Sequence, residues 1–290
     1  MVQRLNILWR ALVGHLYILL FKLRVIPTLP PYSYNPEMPE LIVSLTSYGR
    51  RIRHTVYYSI LSIFFQSHLP NRIVLWIDQD EITEEDLPEK LKKLRKHGLE
   101  IRYCPNLRSY KKLVPTLSLY PNSVIVTIDD DVVYSSHLLE RLCHAYKLDP
   151  SRIYCTEGYF FELSSDGKPK KYNDWVIVNK KNLDGSKSIF PVGVGGVLYP
   201  PHSLSSEVAE VDRFTELCPD ADDLWFWYMA KLNGTNHSFV PLSPNYYSFD
   251  VLYQKFHRGS ALNHTNKKES RNDIQLARLI ECYGLPVDRM

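Results

Sequence analysis

Strands and helices alternate along the first half of this chain. "ELIVSLTSY" (40–48), "NRIVLWIDQDE" (71–81), "LEIRYCP" (99–105) and "SVIVTIDDD" (123–131) are short, β-branched apolar runs that end in polar or charged residues. Runs of this kind suit strands buried on both faces. Between them lie segments of helical periodicity. "HTVYYSILSIFFQS" (54–67) places Val56, Ile60, Ile63 and Phe64 on one face. "LPEKLKKLRKHG" (87–98) follows a capping box of Thr83 and Asp86 and is closed by Gly98. "YKKLVPTLSLYP" (110–121) reads as a helix interrupted near Pro115, and "SHLLERLCHAYKL" (136–148) is the helix after the fourth run. The alternation predicts an α/β fold: a mostly parallel, Rossmann-like sheet with helices on both faces and ligands bound beyond the carboxyl ends of its strands.

The ends of those strands carry the chemistry. The fourth closes on Asp129, Asp130 and Asp131, adjacent like charges that need compensation by water, protein cations or a bound ion. Alternation along a strand would make Asp129 and Asp131 converge and turn Asp130 away. Two convergent carboxylates form half of a site for Mg²⁺ or Mn²⁺, which completes its shell with water and substrate phosphate oxygens. The plainer reading is one helix-capping acid with solvated neighbours. A cation held by phosphates calls for a diphosphate ligand. Tyr48 could stack on a base, Asp78 accept from a base N–H, Thr46 bond a backbone or ribose group, and Lys111 or Lys112 offset phosphate charge; Arg50, Arg51 and Arg53 are further cations for that role. There is no glycine-rich dinucleotide fingerprint or P-loop, which disfavours those sites.

A second acid cluster, Asp220, Asp222 and Asp223, precedes a helix rich in Trp225, Trp227 and Tyr228. Capping of a helix dipole accounts for one or two of these acids. The rival reading, equally weighted, is a general base for an acceptor hydroxyl. "FPVGVGGVLYPP" (190–201) puts three glycines in an apolar run, which suits close approach of a ligand; Trp225 or Trp227 could stack on a sugar ring there.

Elsewhere the chain reads as follows. Residues 1–26 form an amphipathic helix with arginine and lysine flanks. It fits a helix lying in a membrane interface or, nearly as well, one docked on the protein's own core; its apolar stretch is too short to span a bilayer. Residues 27–39, with five prolines, form a linker, so the folded domain begins near Glu40. The six-lysine segment 166–187 suggests a mobile, solvated excursion that could contact anionic headgroups or an acceptor pyrophosphate, and "ESRNDIQLARLIECYGLP" (269–286) an amphipathic helix stopped by Gly284 and Pro286. A net charge of +3 argues against a nucleic-acid partner, and five scattered cysteines without a CxxC pair suit reduced thiols in a cytosolic setting.

Taken in order, "LIVSLTSYGRRI", "IVLWIDQDE", "YKKLVP", "VIVTIDDDVVY", "PVGVGGVLYPP" and "DADDLWFW" resemble the bacterial GT-A-fold glycosyltransferases, closest to the family 2-like enzymes of capsule and O-antigen synthesis. The resemblance covers roughly residues 40–235. It implies a GT-A domain over 40–290, with a nucleotide-binding half (40–150) and an acceptor-binding half (151–290). It also implies a UDP-sugar donor, a divalent ion and a glycan or lipid-linked acceptor at the cytoplasmic face of the membrane. Carried over by position, Asp131 is the principal metal ligand, with Asp129 and a late histidine beside it; His257 is the expected one, and His237 and His264 are the alternatives. Thr46, Tyr48, Asp78, Lys112, Asp129 and Asp130 line the nucleotide. Asp223 is the base of an inverting displacement, Asp222 orients the acceptor, and Gly195, Gly196 and Trp225 contact it. The first strand ends in "LTSY" where the family has a proline-containing loop, and "ADDLW" replaces a Glu-Asp pair, so either aspartate could be the base. A sugar-nucleotide nucleotidyltransferase and a non-catalytic membrane-associated scaffold are the alternatives.

Overall fold

The computed structural model describes residues 2–35, 37–248 and 270–286. Its centre is a seven-stranded sheet. The strands are β1 (Leu41–Thr46), β2 (Arg72–Asp78), β3 (Leu99–Cys104), β4 (Val124–Thr127), β6 (Ile153–Cys155), β10 (Val197–Tyr199) and β11 (His237–Phe239), in the order β11-β6-β10-β4-β1-β2-β3. All neighbouring pairs are parallel except those of β10, which runs antiparallel to both β4 and β6. The fold is thus the expected α/β class with one reversed strand.

Burial explains the apolar runs. Every residue from Leu41 to Leu45 is buried, and side-chain alternation divides them between the two faces of the sheet. Val43, Leu45, Ile73, Leu75, Val124 and Val126 pack on one face beneath helices α3 (Val56–Phe64) and α6 (Leu138–Leu148). Ile125 and Val197 face the other way, toward α7 (Val211–Leu217), α8 (Asp222–Leu232) and the C-terminal α9 (Arg271–Tyr283). The helix expected over 87–98 is a single α-turn, Glu89–Lys92, continued as a 3₁₀ turn and closed by Gly98 at φ 113°. Pro115 sits in the first turn of a short helix, Val114–Leu119, where its missing N–H costs no hydrogen bond.

Two segments differ from their sequence-based expectation. The lysine-rich 166–187 region is pinned: β7 (Gly158–Phe160), β8 (Val176–Ile177) and β9 (Ile189–Pro191) form a small antiparallel sheet, and Trp175 and Val178 are buried. The indole of Trp175 packs edge-on against Phe161 and Phe190, and apolar anchors at this spacing override the polar composition around them. The proline-rich segment also lies against the domain: Leu29 and Met38 are buried, and the Leu29 N–H donates to His97 O at 2.8 Å.

Helix α1 (Val2–Leu23) docks by one face. Tyr17, Ile18 and Phe21 join the sheet core, Phe21 stacking on Phe65 at 5.1 Å. Arg10 donates to Asn245 Oδ1 and to the Tyr246 carbonyl, both at 3.0 Å. Its other face is exposed. Among the described residues no helix is long and apolar enough to cross a membrane.

Candidate active site

The carboxyl ends of β1, β2 and β4 meet the glycine loop before β10 and the start of α8, and their acids answer to three buried or half-buried cations, Arg51, Lys111 and Lys112. Arg51, in the short helix Arg50–His54, reaches Asp130 Oδ1 at 2.7 Å and Asp131 Oδ2 at 3.0 Å. Ser47, at the end of β1, completes the grip by donating its hydroxyl to Asp130 Oδ2 at 2.6 Å. Burial pushes the Asp130 carboxyl up, against the pull of Arg51 and Ser47.

Lys112 serves the second cluster. Its ammonium lies 2.8 Å from Asp222 Oδ2, 3.4 Å from Asp223 Oδ1 and 3.5 Å from Asp129 Oδ1. Burial disfavours its charge, but the three aspartates together more than offset that and hold it protonated. One lysine, recruited from more than a hundred residues away, thereby joins the β4 acids to the α8 acids.

The observed partition corrects one expectation. Strand alternation turns Asp130 away and makes Asp129 and Asp131 converge; instead Asp130 and Asp131 share Arg51, and Asp129 turns to Lys112. The strand ends at Thr127 and the chain bends at Asp130 and Asp131, so alternation no longer applies. The Asp129 N–H donates to the buried Tyr134 hydroxyl at 2.7 Å, which fixes the bend from β5 (Val132–Tyr134), itself paired with β12 (Tyr246–Ser248).

Asp222 and Asp223 occupy the first turn of α8, where the helix dipole favours their charge. Asp223 Oδ2 accepts from the Gly193 N–H at 2.9 Å. Burial raises its pKa to about 6, with Lys112 opposing and the negative charges of Asp222 and Asp129 assisting. Its side chain nevertheless keeps 28% of its surface exposed, so the carboxylate is both perturbed and reachable. Asp220 plays a different part. It pairs with Arg108 and with Arg271, each at 2.8 Å, tying the start of α8 to α9.

The glycines divide differently from expectation. Gly193 makes the close approach: a Cβ there would lie 2.6 Å from Asp223 Oδ1 and 2.8 Å from Lys112 Nζ. Gly195 and Gly196 are packing glycines. A Cβ on Gly195 would strike Glu157, and Gly196 needs φ +87° beside Leu138. Trp225, expected to stack on an acceptor, is fully buried, and its Nε1 donates to Val208 O at 3.1 Å; residues 224–231 of α8 are all buried, so this helix has no outward aromatic face.

The residues expected to line a nucleotide lie at the same edge. Thr46 donates its hydroxyl to Trp76 O at 3.0 Å. Asp78 is buried, accepts from the Asp80 N–H at 3.0 Å and lies 3.8 Å from Lys111. Tyr48 is partly exposed beside Arg51, whose guanidinium carbon is 5.4 Å from the ring centre. His257 and His264 lie outside the described residues. His237, on β11, is separated from β4 by β6 and β10 and is held neutral by burial. Among the described residues no cluster of three or more histidines, cysteines or acids forms a metal cage.

No protein-family model and no curated protein matches the chain. Solved structures similar to it include the mannosyltransferase PcManGT from Pyrobaculum calidifontis in complex with GDP-Man and Mn²⁺, at TM-score 0.44 and 12% identity over 81% of this chain and 64% of that one. Another is CMP:2-keto-3-deoxy-manno-octonic acid synthetase complexed with CTP, at TM-score 0.43 and 9% identity over 76% of this chain and 97% of that one. The chain thus spans less than two thirds of the mannosyltransferase's length, and likeness this distant carries neither reaction nor ligand across to it.

Proposed function

We propose that the chain transfers a sugar from a nucleotide-sugar donor, a UDP-hexose, to a hydroxyl of a glycan or lipid-linked oligosaccharide, with inversion at the anomeric carbon, in bacterial surface-polysaccharide synthesis. The observation that supports this most is the setting of Asp223. A reachable carboxylate with a raised pKa is oriented by the Gly193 N–H and Lys112, beside a strand end that gathers acids and cations.

In this reading Asp223 takes the proton from the acceptor hydroxyl as the acceptor oxygen bonds to the anomeric carbon. The bond from that carbon to the diphosphate breaks, and its electron pair leaves on the phosphate oxygen. Arg51 and Lys112 hold positive charge where the diphosphate departs, and fixed charges of this kind stabilise a transition state without reorganising. Asp222, locked to Lys112 at 2.8 Å, keeps the lysine in place rather than acting as base.

In this reading a divalent ion would be held by Asp129, which retains 32% of its side-chain surface and meets Lys112 only at a long 3.5 Å, and by Asp131, whose Oδ2 it would share with Arg51 at 3.0 Å. A hard cation such as Mn²⁺ or Mg²⁺ is commonly held by one or two carboxylates together with substrate phosphates, so no third protein ligand is required. When bound it would supply Lewis-acid stabilisation of the leaving diphosphate.

The test is turnover of Asp223→Asn with a panel of UDP-sugars and a hydroxyl acceptor. Nucleotide release should fall by roughly 10²–10⁴-fold while UDP binding by calorimetry stays within about twofold. Undiminished transfer refutes the reading. Pyrophosphate release from UTP and a sugar phosphate identifies a nucleotidyltransferase instead, and failure to bind UDP with Mn²⁺ identifies a scaffold.

A further inference from the structure

Helix α1 is apolar on two opposite sides, and the domain covers only one of them. Arg10, Tyr17, Ile18 and Phe21 face inward. Trp9, Leu12, Leu16, Leu19, Leu20 and Leu23 recur at three- and four-residue spacing and are between 45% and 84% exposed. They form a stripe roughly 100° wide, the breadth of a face that packs against something. Val25, 92% exposed, continues the stripe beyond the helix.

Charge selects the occupant. The sequence has no acid before Glu37, whereas Arg4, Arg10, Lys22 and Arg24 fall within the same stretch. Lys22 and Arg24 are exposed at the end of the stripe, and Lys22 lies close enough to Lys90 to be felt as a like charge. Two copies meeting through this face would bring like charges together. An anionic bilayer surface offers the complementary sign, an apolar layer for the leucines and an interface for Trp9.

We infer that the outer face of α1 lies in the headgroup and acyl boundary of an anionic membrane, while its inner face clamps the helix to the catalytic domain. The clamp is specific. Arg10 binds Asn245 and the Tyr246 carbonyl, and the Tyr17 ring packs tilted at 35° against Tyr247 with centres 5.1 Å apart, all on or beside the strand that pairs with β5 behind Asp129. The helix therefore fixes the height and tilt of the strand-end site above the lipid instead of tethering it loosely. This surface is independent of the reaction proposed above.

Sedimentation of the full chain with phosphatidylcholine vesicles, with and without phosphatidylglycerol, tests the inference. The protein should partition strongly only onto vesicles containing the anionic lipid. Leu12→Ser/Leu16→Ser/Leu19→Ser should weaken that partition by roughly a hundredfold with an unchanged circular-dichroism melt, because all three side chains are exposed. The inference is overturned if the wild type stays in the supernatant with both vesicles. It is equally overturned if light scattering shows a dimer that the triple variant dissolves without any change in vesicle binding. Loss of sugar transfer with vesicle binding intact would sink the catalytic reading alone.

Discussion

Replacing Lys112 by methionine is the most informative single change. The side chain is buried, and its ammonium lies within 3.5 Å of three carboxylates from two parts of the chain. Methionine keeps much of the volume and removes the charge, leaving Asp129, Asp222 and Asp223 facing one another. Breaking a buried ion pair by removing one partner costs about 3–5 kcal/mol. Asp223 already sits near 6 rather than 3.8, a rise that corresponds to roughly 3 kcal/mol against its charged form, lessened by the water that reaches its exposed edge. Without Lys112 that pKa rises further. A carboxylate whose pKa is raised in the fold binds its proton more tightly there, so its contribution to stability is greatest at low pH and is lost as pH climbs from the unfolded range through the folded value. The variant's melting temperature should therefore fall further below wild type at about pH 8 than at about pH 5, and the acid limb of kcat/KM, near 6 in the wild type, should move to higher pH. Differential scanning fluorimetry across pH, paired with a pH–rate profile, reads both. An equal loss of stability at both pH values, with the limb unmoved, would show that Lys112 is not the counter-ion of this cluster.

The other expectations are more local. Gly193→Ala places a Cβ 2.6 Å from Asp223 Oδ1, so kcat should drop by roughly a hundredfold with only a small change in melting temperature; near-normal kcat would mean the carboxylate need not stay where Gly193 holds it. Trp225→Phe removes a buried indole and its bond to Val208 O, so stability should fall by about 1–3 kcal/mol with the acceptor KM unchanged; a raised KM at unchanged stability would restore an acceptor contact. Arg51→Met strips Asp130 of its cation and should destabilise by about 3–5 kcal/mol near neutral pH, measurable by urea denaturation; a neutral outcome would mean that Ser47 alone satisfies the buried carboxylate.

Much of the sheet was legible because β-branched runs ending in polar residues leave few alternatives: β1, β2, β3 and β4 lie where the sequence puts them. The identity of the acids was legible too, since strand ends and a helix start announce themselves locally. What spacing could not reveal was pairing. Lys112 and Asp222 are over a hundred residues apart, and nothing local says that this lysine, rather than Lys111, faces α8 while Lys111 faces Asp78. The division of labour among the three loop glycines was hidden because it depends on the 3₁₀ turn Gly193–Gly195, which aims one N–H at Asp223. Trp225 misled because α8 is apolar all round, and a helix without a polar stripe gives no hint of which side is buried when every side is. In 166–187 the lysines outnumbered the anchors, yet Trp175 and Val178 decided the outcome.

Asp220, paired with two arginines, links the start of α8 to the rest of the fold. Held by Arg108 on one side and by Arg271 on the other, it makes the last described helix a brace for the turn that launches Asp222 and Asp223. The Asp220 N–H also donates to Gln275 Oε1 at 2.9 Å, a second fastening to the same brace. Whatever shifts the tail of the polypeptide, some fifty positions downstream, thus tugs directly on the doorstep of the proposed base.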